Sequence, residues 1–170
     1  LYFSWNAGTF PLQSVDPESR TAILGGPARW SIPKPGMSTA PYLVFNHPGA
    51  CDTPGEWRLD RTTGELRVIP FDDEDLSNAR VIAPVHERLI VAQGSPADGR
   101  YVEHVRFEGL SFQHAAWNLP DEGYSASQAA STLGAALEFH ATRDCLLTDC
   151  EVAHVGRYGV WFGPDSSGNT

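Results

Sequence analysis

The segment EHVRFEGLSFQHA, residues 103–115, is the strongest indication of the fold, because it aligns with RDCLLTDCEVAHV, residues 143–155, at an offset of 40. The aligned residues match in kind: Val105 with Cys145, Phe107 with Leu147, Leu110 with Cys150, Phe112 with Val152, and His114 with His154. A second alignment, at an offset of 23, places residues 136–139 on 159–162, and RLIVAQG at 88–94 is a weaker copy of that strand. Short strands that recur in a fixed order are typical of a solenoid. The sequence therefore predicts an all-β chain that forms the first coils of a parallel β-helix.

The alternation of apolar residues predicts which side chains point inward. It runs through each predicted strand and resets at corners near Gly109 and Asp149. Cys145 and Cys150 then fall in the same inward rows as Val105 and Leu110. We therefore expect buried thiols there rather than a disulfide or a nucleophile, because free cysteine is among the most buried residue types.

Residues 1–85 differ in composition and pattern from residues 86–170. They hold ten of the thirteen prolines and predict an irregular β-rich region. Within it, residues 56–69 alternate apolar and polar side chains around the turn RTTG, which predicts a β-hairpin with a positive φ at Gly64. The acidic run at 72–75 fits a solvated loop or the first turn of a short helix better than a cation site.

Composition excludes several classes of function. The 170 residues carry a formal charge of −9 without a cluster of basic residues, so nucleic acid is not an expected partner. No apolar run approaches the ~20 residues of a membrane helix, which predicts no membrane insertion. The three cysteines form no CxxC pair and no nucleotide-binding motif occurs, so neither a metal nor an organic cofactor is expected. The abrupt first and last residues predict a fragment of a longer protein, with further coils downstream.

Glu138 and Trp161 are predicted to point outward from adjacent rungs, about 4.8 Å apart. An aromatic face beside a carboxylate is a common way to hold a sugar ring. Glu138 is therefore the first candidate for a catalytic carboxylate, with Glu151 and Asp149 next, although the spacing singles out no catalytic pair. The alternative is that Trp161 is covered and Glu138 is merely solvated.

Two further features supply candidate substrate-binding residues. The repeat predicts that His114 and His154 stack, either as a structural ladder or in substrate binding or proton transfer. The segment 115–135 is longer than a corner requires, and long loops in compact domains tend to be functional; the alternative is an insertion that only packs against the coils. The candidates for substrate binding are Trp161, Tyr158, His154, His114, Trp117 and Tyr124.

The chain resembles a known group over residues 42–170. The motifs are PGEWRLDRTTGELRVIP, then VRFEGLSFQHAAWNLPDEGYSASQAA, then ALEFHATRDCLLTDCEVAHVGRYGVWFG. They resemble the bacterial right-handed parallel β-helix proteins grouped with glycoside hydrolase family 141. The resemblance implies a secreted or periplasmic enzyme that cleaves plant or algal polysaccharides with fucosidase-like or xylanase-like activity and needs no cofactor. It also implies that the catalytic carboxylates belong to later coils.

Two other classes of function remain open at this point. A non-catalytic carbohydrate-binding or structural β-helix would show aromatic platforms without a perturbed acid. A polysaccharide lyase would need basic residues to neutralise a uronate, and the outward arginines are sparse: Arg106, Arg143 and Arg157.

Overall fold

The computed structural model describes residues 1–3, 5–33, 36 and 38–170. In this part of the chain the only helices are three single turns of 3-10 helix, at Pro48–Ala50, Leu76–Asn78 and Pro96–Asp98, and none could span a membrane. The prediction of an all-β chain is confirmed. The strands are β1 (Leu12–Asp16), β2 (Thr21–Leu24), β3 (Trp57–Asp60), β4 (Glu65–Val68), β5 (Ile90–Gln93), β6 (Val102–Glu103), β7 (Arg106–Glu108), β8 (Ser111–Ala115), β9 (Ala135–His140), β10 (Thr142–Arg143), β11 (Leu146–Thr148), β12 (Glu151–Val155) and β13 (Tyr158–Phe162).

Two antiparallel hairpins lie in the N-terminal part of the chain. β1 pairs with β2, and β3 pairs with β4 in a register that places Trp57 opposite Val68. The β3–β4 turn has the predicted positive φ at Gly64, 76°. The acidic run at 72–75 ends in a helix cap, since Asp75 accepts a hydrogen bond from the backbone N–H of Ser77. The predicted hairpin is therefore confirmed, and one residue of the acidic run has a structural role.

From residue 90 onward the strands pair in parallel. β6 pairs with β10, β7 with β11 and β8 with β12, and Phe107 is the register partner of Leu147. The fourth sheet has three strands in the order β13-β9-β5, with Trp161 opposite Glu138 and Ile90 opposite Leu137. Register partners on paired strands are therefore separated by the two offsets found in the sequence, 40 and 23.

The corners between the short strands use left-handed backbone at equivalent positions. Positive φ angles occur at His104, Gly109 and His114, and again forty residues later at Asp144, Asp149 and His154. Outside glycine, this conformation is found mostly at Asn, Asp and His, which explains the residue types at these positions. The predicted corners at Gly109 and Asp149 are confirmed, and His114 and His154 adopt the same conformation one residue before the ends of β8 and β12.

The core is centred on β9 because this strand has a neighbour on each side. Leu137 and Phe139 are fully buried, and the ring of Phe139 stacks on Phe162 with centroids 5.0 Å apart. Cys145 is buried and Cys150 is half-buried, and both thiols are free. The predicted inward thiol is confirmed at Cys145 and only partly at Cys150.

One residue expected to point into the core is largely exposed. Leu110 retains 46% of its accessible surface. The corner at Leu110 joins β7 to β8, and within the described residues each of these strands has a partner on one side alone. Alternation therefore did not predict how poorly this side chain is covered.

Candidate functional site

Glu138 lies at the centre of the three-stranded sheet, with Val91 and Trp161 as its register partners on β5 and β13. Its neighbours on β9, Leu137 and Phe139, fill the core, so Glu138 points to the opposite face of the sheet. The residue nevertheless retains only 7% of its accessible surface. The expectation of an exposed or solvated carboxylate at this position was therefore wrong.

The Glu138 carboxylate is buried because groups from distant parts of the chain surround it. Oε1 accepts a hydrogen bond of 3.0 Å from the backbone N–H of Ala135. Oε2 lies 3.5 Å from Arg88 Nη1 and 3.9 Å from His140 Nε2. The contacts of Oε2 are longer than a good hydrogen bond. Oε2 therefore lies close to Arg88 and His140 but retains capacity to accept a further hydrogen bond.

A second ion pair lies behind Glu138. Arg157 Nη1 is 3.3 Å from Glu87 Oε2, and the Arg157 side chain is mostly buried. Its Nε atom is buried without a hydrogen-bond partner among the described residues. A β-carbon at Gly134 would lie 2.7 Å from Glu138 Oε1 and 3.1 Å from Arg157 Nη1, so both pairs come close to this glycine. Any side chain at residue 134 would displace one of them.

Trp161 covers the outer face of the sheet beside Glu138. Its indole is 40% exposed and meets the His140 ring edge to face, with centroids 4.7 Å apart and an interplanar angle of 88°. A β-carbon at Gly163 would lie 2.7 Å from His140 Nδ1. The absence of a side chain at residue 163 therefore allows the imidazole to support the indole.

The long loop packs chiefly against the N-terminal segment. The rings of Trp117 and Tyr124 meet edge to face, 5.8 Å apart, and Tyr124 forms an antiparallel bridge with Thr9. Trp117 also lies against Gly156, where a β-carbon would be 2.7 Å from Trp117 Cβ. These contacts favour the packing interpretation of the loop. Two of the predicted substrate-binding residues, Trp117 and Tyr124, thus serve packing at these positions.

Tyr158 connects the loop to the sheet. It is the first residue of β13, and its hydroxyl donates a hydrogen bond to the carbonyl of Ala130. Tyr158 therefore lies on the same strand as Trp161 but directs its polar end to the loop.

The predicted histidine pair forms at a corner of the β8–β12 sheet. The rings of His114 and His154 stack with centroids 5.0 Å apart and planes within 5°. No three His, Cys, Asp or Glu side chains converge as a metal site in the part of the chain that the structure describes. The pair is thus a stacked ladder at two left-handed corner residues.

Glu151 lies near this ladder on an exposed face. Its Oε2 accepts hydrogen bonds from Ser111 Oγ at 2.6 Å and Gln113 Nε2 at 2.5 Å. These bonds, with a smaller contribution from the charge of His154, hold the pKa of the Glu151 carboxyl below its ordinary value. An acid of lowered pKa is suited to act as an ionised carboxylate rather than as a proton donor. Asp149, the third candidate acid, is an exposed corner residue.

The sequence pointed to Glu138 and Trp161 but not to Arg88, His140 and Gly163. Arg88 is the first residue of the weak strand copy at 88–94 and lies just before β5, and Gly163 directly follows β13. The second alignment could have placed Gly163 beside His140, because Phe162 and Phe139 are register partners.

Comparison of the chain with protein-family models, with curated proteins and with solved structures finds no match in any of the three.

Proposed function

We propose that this chain is a carbohydrate-binding part of a glycoside hydrolase and that a sugar ring packs on Trp161. The observation that carries the proposal is the buried Glu138 carboxylate beside the half-exposed indole of Trp161 on the outer face of one sheet. An indole provides a flat apolar surface for the face of a sugar ring. A carboxylate oxygen beside it accepts hydrogen bonds from the hydroxyl groups.

The polar contacts of Glu138 suit a ligand rich in hydroxyl groups. Oε1 is fixed by the Ala135 N–H, so the orientation of the carboxylate is set before a ligand arrives. Among the described residues, Oε2 has the long contacts with Arg88 and His140 and can accept from a sugar hydroxyl. Preorganised acceptors of this kind reduce the entropic cost of binding.

We propose further that the four parallel sheets are consecutive faces of a right-handed parallel β-helix. The support is the shared register at an offset of 40 in three sheets, together with the resemblance to the group of glycoside hydrolase family 141. By the same resemblance the protein is secreted or periplasmic and acts on plant or algal polysaccharide. The acid–base pair that hydrolysis requires would come from further coils of the same protein.

A non-catalytic carbohydrate-binding module is the second candidate, because the pKa of Glu151 is shifted in the direction opposite to the one that a general acid needs. With a lowered pKa, Glu151 is ionised at neutral pH and is not a general acid. A polysaccharide lyase has less support, since Arg88 and Arg157, the arginines nearest the site, already contact Glu138 and Glu87.

Calorimetric titration of the chain with a panel of xylo-oligosaccharides and fucosylated oligosaccharides tests the proposal. We expect saturable binding that Trp161→Ala weakens at least ~10-fold, which corresponds to about 1.4 kcal/mol. The matched control is Trp57→Ala, which removes an indole that is 61% exposed on the β3–β4 hairpin. Equal affinities for the Trp161→Ala and Trp57→Ala proteins would refute a site at Trp161. Release of reducing sugar by the longer protein, and its absence for this chain, would separate the hydrolase from the binding module.

A further inference from the structure

The outer edge of the β3–β4 hairpin is open to solvent. Within the described part of the chain β4 pairs with β3 alone, and all four of its residues are exposed. An exposed strand edge carries unpaired N–H and C=O groups, which can pair with a strand of another chain. The hairpin contributes none of the residues of the proposed sugar site. This edge is therefore a surface for association that the proposed function does not use.

The backbone groups of Leu66 point away from β3. Leu66 is the register partner of Leu59, whose N–H and C=O are bonded by the Asn46 side chain, at 2.8 and 3.0 Å, rather than by β4. Leu59 and Leu66 thus form a pair that exchanges no backbone hydrogen bonds, and both residues of such a pair direct their N–H and C=O groups outward. The orientation repeats at every second residue, so the backbone groups of Val68 point the same way as those of Leu66. The free edge of β4 therefore offers the N–H and C=O groups of both residues.

The charges on β4 are not matched across the hairpin. Arg67 lies opposite Arg58, and Glu65 lies opposite Asp60. Like charges directly opposite each other are unfavourable in an antiparallel pair. Arg67 does contact Glu65 on its own strand at 3.2 Å, but both side chains are more than 60% exposed, and such a pair contributes little. The free edge thus carries one negative and one positive side chain, two residues apart, that a second strand could match.

We propose that two copies of this chain associate through their β4 edges, as an antiparallel pair with Leu66 on the two-fold axis. The two copies of Leu66 then lie opposite each other and exchange two backbone hydrogen bonds. Glu65 of each copy lies opposite Arg67 of the other, in a pair without backbone hydrogen bonds, where opposing side chains are closest. The contact is self-complementary and closes as a dimer.

Charge selects this register over the neighbouring one. With Arg67 on the axis instead, Leu66 would exchange backbone hydrogen bonds with Val68 of the other copy. Arg67 would then lie opposite Arg67 of the other copy, and Glu65 would lie opposite Ile69 and face no cation. The register centred on Leu66 replaces this repulsion by two ion pairs.

The pairing also extends the apolar face of the hairpin. Trp57 is the register partner of Val68 and Leu59 is that of Leu66, so these four side chains lie on one face. In the dimer this face continues across the axis, where Leu66, 42% exposed in the single chain, packs on its copy. A sheet of three or more strands with an apolar face is more stable than an isolated hairpin. The dimer therefore stabilises the hairpin as well as matching its charges.

Charge reversal on β4 tests the proposal. Sedimentation velocity over a concentration series up to about 1 mM, where even weak contacts form, compares the wild-type chain with its Glu65→Arg and Arg67→Glu variants. Each reversal places like charges opposite each other across the axis, and we expect the dissociation constant of the dimer to rise at least ~10-fold. Within one chain each reversal instead places opposite charges across β3 and β4, so the hairpin itself is not weakened. Arg61→Glu, in the exposed turn outside the pairing, is the matched control and should leave the dimer unchanged.

Mixing the two single variants distinguishes this register from any other contact. In an equimolar mixture of the Glu65→Arg and Arg67→Glu proteins both ion pairs are restored, so the mixture should dimerise as the wild-type chain does. The Glu65→Arg/Arg67→Glu double variant should also dimerise by itself. A wild-type chain that stays monomeric throughout the series overturns the proposal. A dimer that survives both single reversals, or a mixture that fails to dimerise, overturns it as well.

Discussion

The imidazole of His140 occupies the space that a side chain at Gly163 would need. A β-carbon at residue 163 would lie 2.7 Å from His140 Nδ1 and 3.0 Å from Cε1, closer than side chains pack. His140 in turn meets Trp161 edge to face and lies 3.9 Å from Glu138. One glycine thus determines where the imidazole lies between the aromatic and acidic parts of the proposed site.

Replacement of Gly163 by alanine should displace the His140 ring. We expect the free energy of unfolding to fall by about 1 kcal/mol, the lower end of the cost of overpacking, because the imidazole is partly exposed and can move. Chemical denaturation measures the change, and binding of xylo-oligosaccharide should weaken with it. Gly49→Ala is the control, since a β-carbon there meets nothing closer than 3.5 Å. Equal losses of stability in the two variants would contradict the assigned role of Gly163.

The free energy of unfolding should depend on whether the side chain that replaces Glu138 keeps an oxygen that can accept a hydrogen bond. Glu138→Ala leaves the buried N–H of Ala135 without its acceptor, and such an unsatisfied group costs about 1–3 kcal/mol. Glu138→Gln keeps an oxygen that can accept this hydrogen bond, and we expect a smaller loss. Urea denaturation of both variants makes the comparison. If glutamine were as destabilising as alanine, the hydrogen bond to Ala135 would not be what stabilises this residue.

The effect of replacing His154 on stability should depend on how well the new residue tolerates a positive φ. His154 has φ 52°, a conformation that β-branched residues strongly disfavour. His154→Val should therefore lower the free energy of unfolding by about 1–3 kcal/mol. His154→Asn, which also loses the stacking on His114 but tolerates this φ, should cost less. Thermal unfolding of the two variants separates strain from stacking, and a similar loss for both would assign the effect to stacking.

Glu151 gives the chain a pH-dependent contribution to stability. Because its pKa is lowered in the folded chain, this contribution is present above the ordinary pKa of glutamate and is lost as the pH falls through the lowered pKa. Ser111→Ala removes the hydrogen bond that contributes most to the shift. The carboxyl carbon resonance of Glu151, followed by NMR from neutral to acidic pH, should then titrate at a higher pH than in the wild-type chain. An unchanged midpoint would show that Ser111 does not hold this carboxylate.

The strand registers could be predicted from the sequence because they repeat. Each inward row of one copy recurs in the next, so the pairing of Phe107 with Leu147 and of Glu138 with Trp161 follows from two offsets. The β3–β4 hairpin could also be predicted from the sequence, because the alternating residues and the turn glycine lie within sixteen residues of one another. Periodic features of this kind depend on local spacing alone.

The burial of Glu138 could not be predicted in the same way. Alternation assigns a side chain to a face of the sheet but says nothing of what covers that face. Here Arg88 comes from fifty residues upstream, and Gly134 and Arg157 come from segments outside the repeat. The packing of the N-terminal segment on the long loop, through Trp5 and Asn6, likewise depends on contacts without a sequence period.

An NMR titration of the five tryptophan indole N–H signals with xylohexaose, assigned by single Trp→Phe substitutions, tests directly whether a sugar packs on Trp161. Trp5, Trp30, Trp57, Trp117 and Trp161 each give one signal. A sugar on the outer face of the β13-β9-β5 sheet should shift the Trp161 signal in a saturable manner and leave Trp57 unchanged. Saturable binding that shifts other indoles but leaves Trp161 unmoved would contradict the proposed site.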